Sequence, residues 1–278
     1  MLLQRVATAV VLLALLLPAL LAPSRWPFAL LTLLLIGAAG WEWGRLNAAG
    51  ARGSIAVGAL VVLGCAGSIT LGWVEATPPL AWWAALLVWV LGGAAALRRG
   101  PAGWPLLPAP ARLAIGVLAL VVAWLALARS RDLGIDFLLS VFALVWVADI
   151  AAYFGGRAFG RRKLAPAISP GKSWEGVWIG MAAVALLAVV WCIADARLNV
   201  EGGSLYQRLH ALLGWGGLLL AVVFLVAMSV VGDLVESLVK RAAGMKDSSN
   251  LLPGHGGVLD RIDALLPVFP LALAFHSL

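Results

Sequence analysis

The chain has 278 residues, 63% hydrophobic and only 12% charged, with a mean hydropathy of +1.01. Soluble domains run nearer half apolar and a quarter charged, so the composition excludes an ordinary soluble protein and implies an all-α, polytopic transmembrane helical bundle without a separate soluble domain. The net charge of +7 and pI near 10.2 read as positive loops facing the cytoplasm, not as a nucleic-acid surface.

About nine apolar spans follow in chain order, at roughly 5–22, 26–44, 55–73, 79–97, 109–128, 134–156, 174–195, 211–231 and 259–276. The first has the look of a signal peptide, with Arg5 ahead of an apolar core, but Pro23 and a second apolar run directly after it favour a retained span. Trp26, Trp41, Trp43, Trp73, Trp82, Trp83 and Trp104 lie near span ends, as interfacial anchors do. Cys65 and Cys192 sit inside apolar runs, with neither metal-ligand spacing nor a disulfide framework. Glu42, near the end of the second span, reads as a solvated end residue or a packing contact. Otherwise residues 1–133 form an N-terminal set of spans with little chemistry. Residues 134–278 form a second half that holds most of the candidate chemistry, with loops at 157–173 and 242–258.

With nine spans, fifteen of the twenty Lys and Arg fall on the side of the N-terminus, and only Arg25, Arg129, Arg131, Arg197 and Arg208 on the other. That bias places the N-terminus and both polar loops in the cytoplasm and the C-terminus outside. The last stretch is short and contains Pro267 and Pro270; a re-entrant path there would return the C-terminus to the cytoplasm.

Chemistry begins at Asp149, inside the sixth run. A carboxylate at membrane depth is costly unless paired, hydrated or metal-bound, so it is a site candidate. Tyr153, Gly156 and Arg157 share its helical face. A hydrogen-bond network between helices is the competing account. Next, residues 155–176 combine glycines, prolines and four basic residues with Ser169, Lys172 and Ser173 before a helix start at Trp174 and Glu175. Such a flexible cationic loop can hold phosphate oxygens, although short cytoplasmic loops are often basic for topological reasons alone. The G-x-x-x-x-G-K-[ST] spacing is absent.

Polar residues concentrate between Gly232 and Asp263, where five of the thirteen acids lie. Asp233, Glu236, Ser237, Lys240 and Arg241 share one helical face, and Gly244 is a suitable helix end. A polar loop then carries Lys246 and Asp247, a glycine-rich turn carries His255, Gly256 and Gly257, and a new helix carries Asp260, Arg261 and Asp263. Hard oxygen ligands on two neighbouring helices, with basic residues around them, suit Mg²⁺ and phosphoryl or nucleotidyl transfer. No Ser-His-Asp or Cys-His arrangement is visible.

The run Ser237-x-x-Lys240-Arg241-x-x-x-x-Lys246-Asp247, then Pro253-x-His255-Gly256-Gly257-x-x-Asp260-Arg261-x-Asp263, resembles the signature of the phosphatidate cytidylyltransferase (CDP-diacylglycerol synthase) family. Asp149, Tyr153, Gly156-Arg157 and Ser169-Pro170-x-Lys172-Ser173-Trp174-Glu175-Gly176 are similar to it as well. Gly171 departs from it, standing where many members carry a second basic residue. The detailed resemblance covers about 149–263.

The resemblance implies a multi-pass enzyme of the plasma (inner) membrane that makes CDP-diacylglycerol and pyrophosphate from CTP and phosphatidate with Mg²⁺, with room for a second ion and for a homodimer. It implies Asp233 and Asp260 as metal ligands and Asp263 and Asp247 beside them. Lys240, Arg241 and Lys246 would neutralise phosphate, with His255 as a phosphate contact and Arg157 and Lys172 holding a further phosphate. Two rival activities are a CTP-dependent transferase acting on an isoprenoid-ether phosphate or polyprenol, and an ion-coupled transporter using Asp149. The transporter predicts charges near the midplane in corresponding halves, whereas here they crowd one end of the C-terminal half.

Overall fold

A computed structural model describes residues 2–198 and 202–278, with the side chains of residues 2–5, Arg5 among them, and of residue 9 outside the described set. In order, the elements are α1 (Leu2–Leu21), α2 (Trp26–Leu46), α3 (Gly50–Thr70), α4 (Trp73–Ala76), α5 (Pro79–Gly103), α6 (Ala109–Leu133), α7 (Ile135–Phe159), β1 (Lys163–Ala165), β2 (Ser169–Ser173), α8 (Trp174–Leu198), α9 (Leu205–Ala242), α10 (Leu259–Ile262) and α11 (Leu265–His276). Seven of these, α2, α3, α5, α6, α7, α8 and α9, are long and apolar enough to cross a membrane. The protein is a polytopic helical bundle.

Small residues let the helices approach closely, as they do where lipid supplies no hydrophobic drive between helices. A Cβ on Gly176 would fall 2.7 Å from the Ala152 carbonyl oxygen, and one on Gly180 would fall 2.9 Å from that of Ala148. These contacts draw α8 against α7. At the α2–α3 hairpin, Gly40 and Gly58 face each other and Gly44 abuts Ser54. Trp43 lies against Gly116 and donates its indole N–H to the Arg112 carbonyl at 2.9 Å, fixing the end of α2 to α6.

The stretch expected as a ninth span breaks in two. The four-residue α10 is followed by α11, whose 12 residues rise only about 18 Å against a hydrocarbon core of about 30 Å. Every residue from Leu265 to Ala274 is buried, because α11 packs inside the bundle against α5, α6, α7 and α9. Pro267 falls in its first turn, where the backbone N–H has no helical partner to lose. His276 meets Phe137, near the start of α7, at a ring distance of 5.2 Å. α9 ends close to its expected stop: Gly244 is left-handed at φ 69°, and Met245 N–H returns to the Lys240 carbonyl at 2.8 Å.

The segment 157–173 is more ordered than a flexible loop. β1 and β2 pair antiparallel, with Lys163 opposite Ser173. Glu175 secures this hairpin by accepting hydrogen bonds from the Arg161 and Arg162 backbone N–H groups at 3.0 and 3.1 Å and from the Arg162 guanidinium at 3.2 Å. Arg241 ties the hairpin to α9 by donating to the Ile168 carbonyl at 3.2 Å. The two polar loops therefore lie at the same end of the bundle.

Candidate active site

Between α7, α8, α9, α10 and the β1–β2 hairpin lies a cavity of 720 Å³. Asp149, Tyr153 and Arg157 reach it from α7; Ser169, Lys172 and Ser173 from β2; Asp233 from α9; and Asp260, Arg261 and Asp263 from α10 and its C-terminal end. One part of the wall is apolar and small, with Ala148, Ala152, Gly180, Val177, Val226 and Val230. The site is set back from the helix tips. Asp233 stands nine residues before the end of α9 and Asp149 ten before the end of α7, about 14 and 15 Å of helix.

The convergence depends on Gly232. A Cβ there would fall 2.5 Å from the Asp263 carbonyl oxygen and 2.8 Å from the Pro267 ring. Only glycine allows α9 to pass so close to the start of α11, which sets Asp233 beside Asp263. Asp233 forms an ion pair with Lys172 and accepts a hydrogen bond from Ser237 Oγ at 3.2 Å. Lys240 Nζ stands 2.6 Å from both Glu236 and Asp260. It is turned behind the cavity, as is Glu236.

Asp260 is the most heavily bonded acid of the cavity. Oδ1 accepts from Lys240, and Oδ2 accepts from Ser248 N–H and Oγ, both at 2.9 Å, and from Gly257 N–H at 2.7 Å. Burial opposes its ionisation, but Lys240 and the two backbone N–H groups prevail and hold the carboxyl at about 2. Asp263 is the opposite case. Burial and then the neighbouring Asp233 push its carboxyl well above the usual range. Asp149 has no hydrogen-bond partner among the described residues and faces the cavity alongside Lys172 and Asp233.

The remaining sequence candidates lie off the cavity wall. Lys246 and Asp247 are exposed on the 242–258 segment. His255 is half-buried there, its Nδ1 without a hydrogen-bond partner among the described residues. Gly256 forms a bridge with Leu252 at φ 82°, where a side chain would crowd Asp260. Arg241 and Glu175 are committed to the hairpin contacts described above.

The structure adds Lys163 to the site and corrects Glu42, which is not a solvated end residue but a buried, hydrogen-bonded one. Lys163 joins the cationic wall. Glu42, fully buried, accepts hydrogen bonds from Ser249 Oγ at 2.5 Å, Val258 N–H at 3.0 Å and Leu259 N–H at 2.6 Å. The rule that singled out Asp149, an acid within an apolar span, applied equally to Glu42.

Could the wall hold a metal? Asp233 and Asp260 are hard oxygen donors on one cavity, with Asp263 adjacent. Among the described residues no three His, Cys, Asp or Glu side chains form a ready-made ligand cluster. Mg²⁺ needs none, since it commonly binds through one or two carboxylates and completes its shell with phosphate and water. The donor set fits such an ion, which would compete with the lysines now paired to both carboxylates.

A model of the cytidylyltransferase family matches residues 3–278. A phosphatidate cytidylyltransferase of Pseudomonas aeruginosa is 41% identical over 286 residues, covering 99% of this chain and 96% of that protein. The Haemophilus influenzae protein of the same name is 48% identical over 143 residues, 51% of this chain and 46% of the relative. That of Brucella suis is 40% identical over 176 residues, 63% and 58% respectively.

Proposed function

We infer that this chain, which belongs to the cytidylyltransferase family, is an integral-membrane phosphatidate cytidylyltransferase. It joins CTP and phosphatidate to give CDP-diacylglycerol and pyrophosphate, a step of phospholipid biosynthesis. The observation that carries this reading is the single cavity in which acids, bases and a small apolar wall meet, inside a membrane bundle. A nucleotide, a lipid phosphate and acyl chains need those three surfaces together.

In the reaction an oxygen of the lipid phosphate attacks the α-phosphorus of CTP, and the bond from that phosphorus to the pyrophosphate oxygen breaks. The nucleophile is ionised near neutral pH, so no general base is required. Arg157, Lys163, Lys172 and Arg261 hold and neutralise the phosphates. The lysine pairs keep Asp233 and Asp260 oriented between substrate encounters. Asp233 and Asp260 would hold Mg²⁺, which supplies charge neutralisation at the transferring phosphorus and the leaving pyrophosphate. The wall of Ala148, Ala152, Gly180, Val226 and Val230 receives the upper part of the acyl chains.

The charge bias supports a cytoplasmic position for the cavity end of the bundle, at the inner leaflet of the plasma membrane, where CTP is available. The test is purified protein with labelled CTP and phosphatidate, with and without Mg²⁺. Labelled CDP-diacylglycerol should form only when all three are present. Transfer to a polyprenyl or isoprenoid-ether phosphate in preference to phosphatidate would overturn the substrate assignment.

A further inference from the structure

The second helix carries a carboxylate whose partners all lie more than two hundred residues away. Glu42 is fully buried, and no Lys or Arg pairs with it among the described residues. Burying a carboxylate is costly unless hydrogen bonds replace the lost water. Three do, and they come from Ser249, Val258 and Leu259. Among the described residues no group of α1 to α6 donates to it, so the charge is not there to hold the N-terminal helices together.

The donors interleave with those of Asp260. Ser248 donates to Asp260 and the next residue, Ser249, to Glu42; Gly257 donates to Asp260 and the next two, Val258 and Leu259, to Glu42. Two carboxylates, one from each half of the chain, thus bond adjacent residues in the same two stretches. Gly257 lies between them, and a Cβ there would collide with both Ser248 Oγ and Glu42 Oε1. The helix that bears Glu42 is itself held still by Trp43 on α6 and by the glycine contacts to α3.

We propose that Glu42 is a positioning residue for the nucleotidyl transfer: it locks the 248–259 segment so that Asp260 is presented to the substrates in one orientation. It touches neither substrate. The proposal rests on the activity inferred above. A misplacement of about 1 Å at a reacting centre can cost about a hundredfold in rate, and the supporting shell is what prevents it.

The test is Glu42→Gln in the full chain, purified and reconstituted, read by steady-state kinetics and by amide hydrogen exchange. Gln keeps the size but removes the charge and one of the two acceptor oxygens. We expect kcat to fall by about tenfold or more, KM for CTP to stay within about threefold, and exchange to quicken in 248–260 while α2, α3 and α6 stay protected. Ser249→Ala should do the same more weakly, and in the double variant the two losses should not multiply, as for residues acting through one contact. Unchanged kcat in a folded Glu42→Gln protein would overturn the proposal, as would exchange that quickens throughout α2, α3 and α6. If Glu42→Gln does not fold, Ser249→Ala decides: loss of kcat with local quickening supports the proposal, and parental behaviour refutes it. Absence of turnover in the parent protein would instead refute the activity.

Discussion

Glu42 and Asp149 both sit inside apolar helices of this protein, and their surroundings differ in kind. Glu42 on α2 is enclosed and has both oxygens bonded. Asp149 on α7 is open to the cavity and has no hydrogen bond among the described residues. A satisfied buried acid is part of the framework. An acid open to a cavity beside a lysine has bonding capacity left for a ligand. The same contrast separates the two halves of the chain: the N-terminal half supplies a fixed support, the C-terminal half a surface with unfilled bonding capacity.

The contrast can be tested by how stability and activity move together. The largest effect should come from Asp260→Asn, which removes a charge at the centre of the cavity. Pyrophosphate release from CTP and phosphatidate should fall by at least about a hundredfold while the protein remains inserted and elutes as the parent does. Near-normal turnover would take Asp260 out of the proposed metal site. Next, Glu42→Leu and Asp149→Leu should separate. Leucine at 42 strands three buried donors, at about 1–3 kcal/mol each, and should lower the thermal midpoint in detergent. Leucine at 149 strands none and should leave that midpoint unchanged or raised, yet cut turnover. Equal destabilisation by both would erase the distinction.

Lys172→Ala comes third. It should raise KM for CTP or phosphatidate by about tenfold, one lost charge-assisted contact of ~1.4 kcal/mol, and more than Glu42→Ala does. Equal effects on KM would argue against a phosphate clamp on β2. The smallest effect is on pH. Asp260, held at about 2 in the fold against roughly 3.9 for a free carboxyl, gives stability that is present above pH ~4 and lost as pH falls towards 2. Exchange in 248–259 should therefore stay slow at pH 5 and quicken only below about 4. Quickening already at pH 5 would show that Asp260 is not bonded as described.

Much of the C-terminal half could be read directly. Asp149, Tyr153 and Arg157 were placed on one face by spacing alone, and they line one cavity. Asp233, Ser237 and Lys240 were aligned by the same periodicity, which also predicts the bond from Ser237 to Asp233. What spacing could not supply was long-range pairing. Glu42 and Leu259 are 217 positions apart, and no local pattern links them. The β1–β2 hairpin was hidden because Ser169–Ser173 has no apolar alternation to mark a strand. The division of 259–276 into α10 and α11 was hidden for a different reason: the apolar run continues through the break, and only packing against Gly232 shows why the chain turns there.

The short α11 has a consequence for biogenesis. With 12 residues it is too brief to settle in lipid by itself; its groove exists only once α5, α6, α7 and α9 have come together. Asp260 and Asp263 lie directly before it, so they reach their places when that groove is filled. An incompletely assembled molecule in the bilayer therefore has no working cavity, and enzymatic output reports the finished assembly rather than mere insertion.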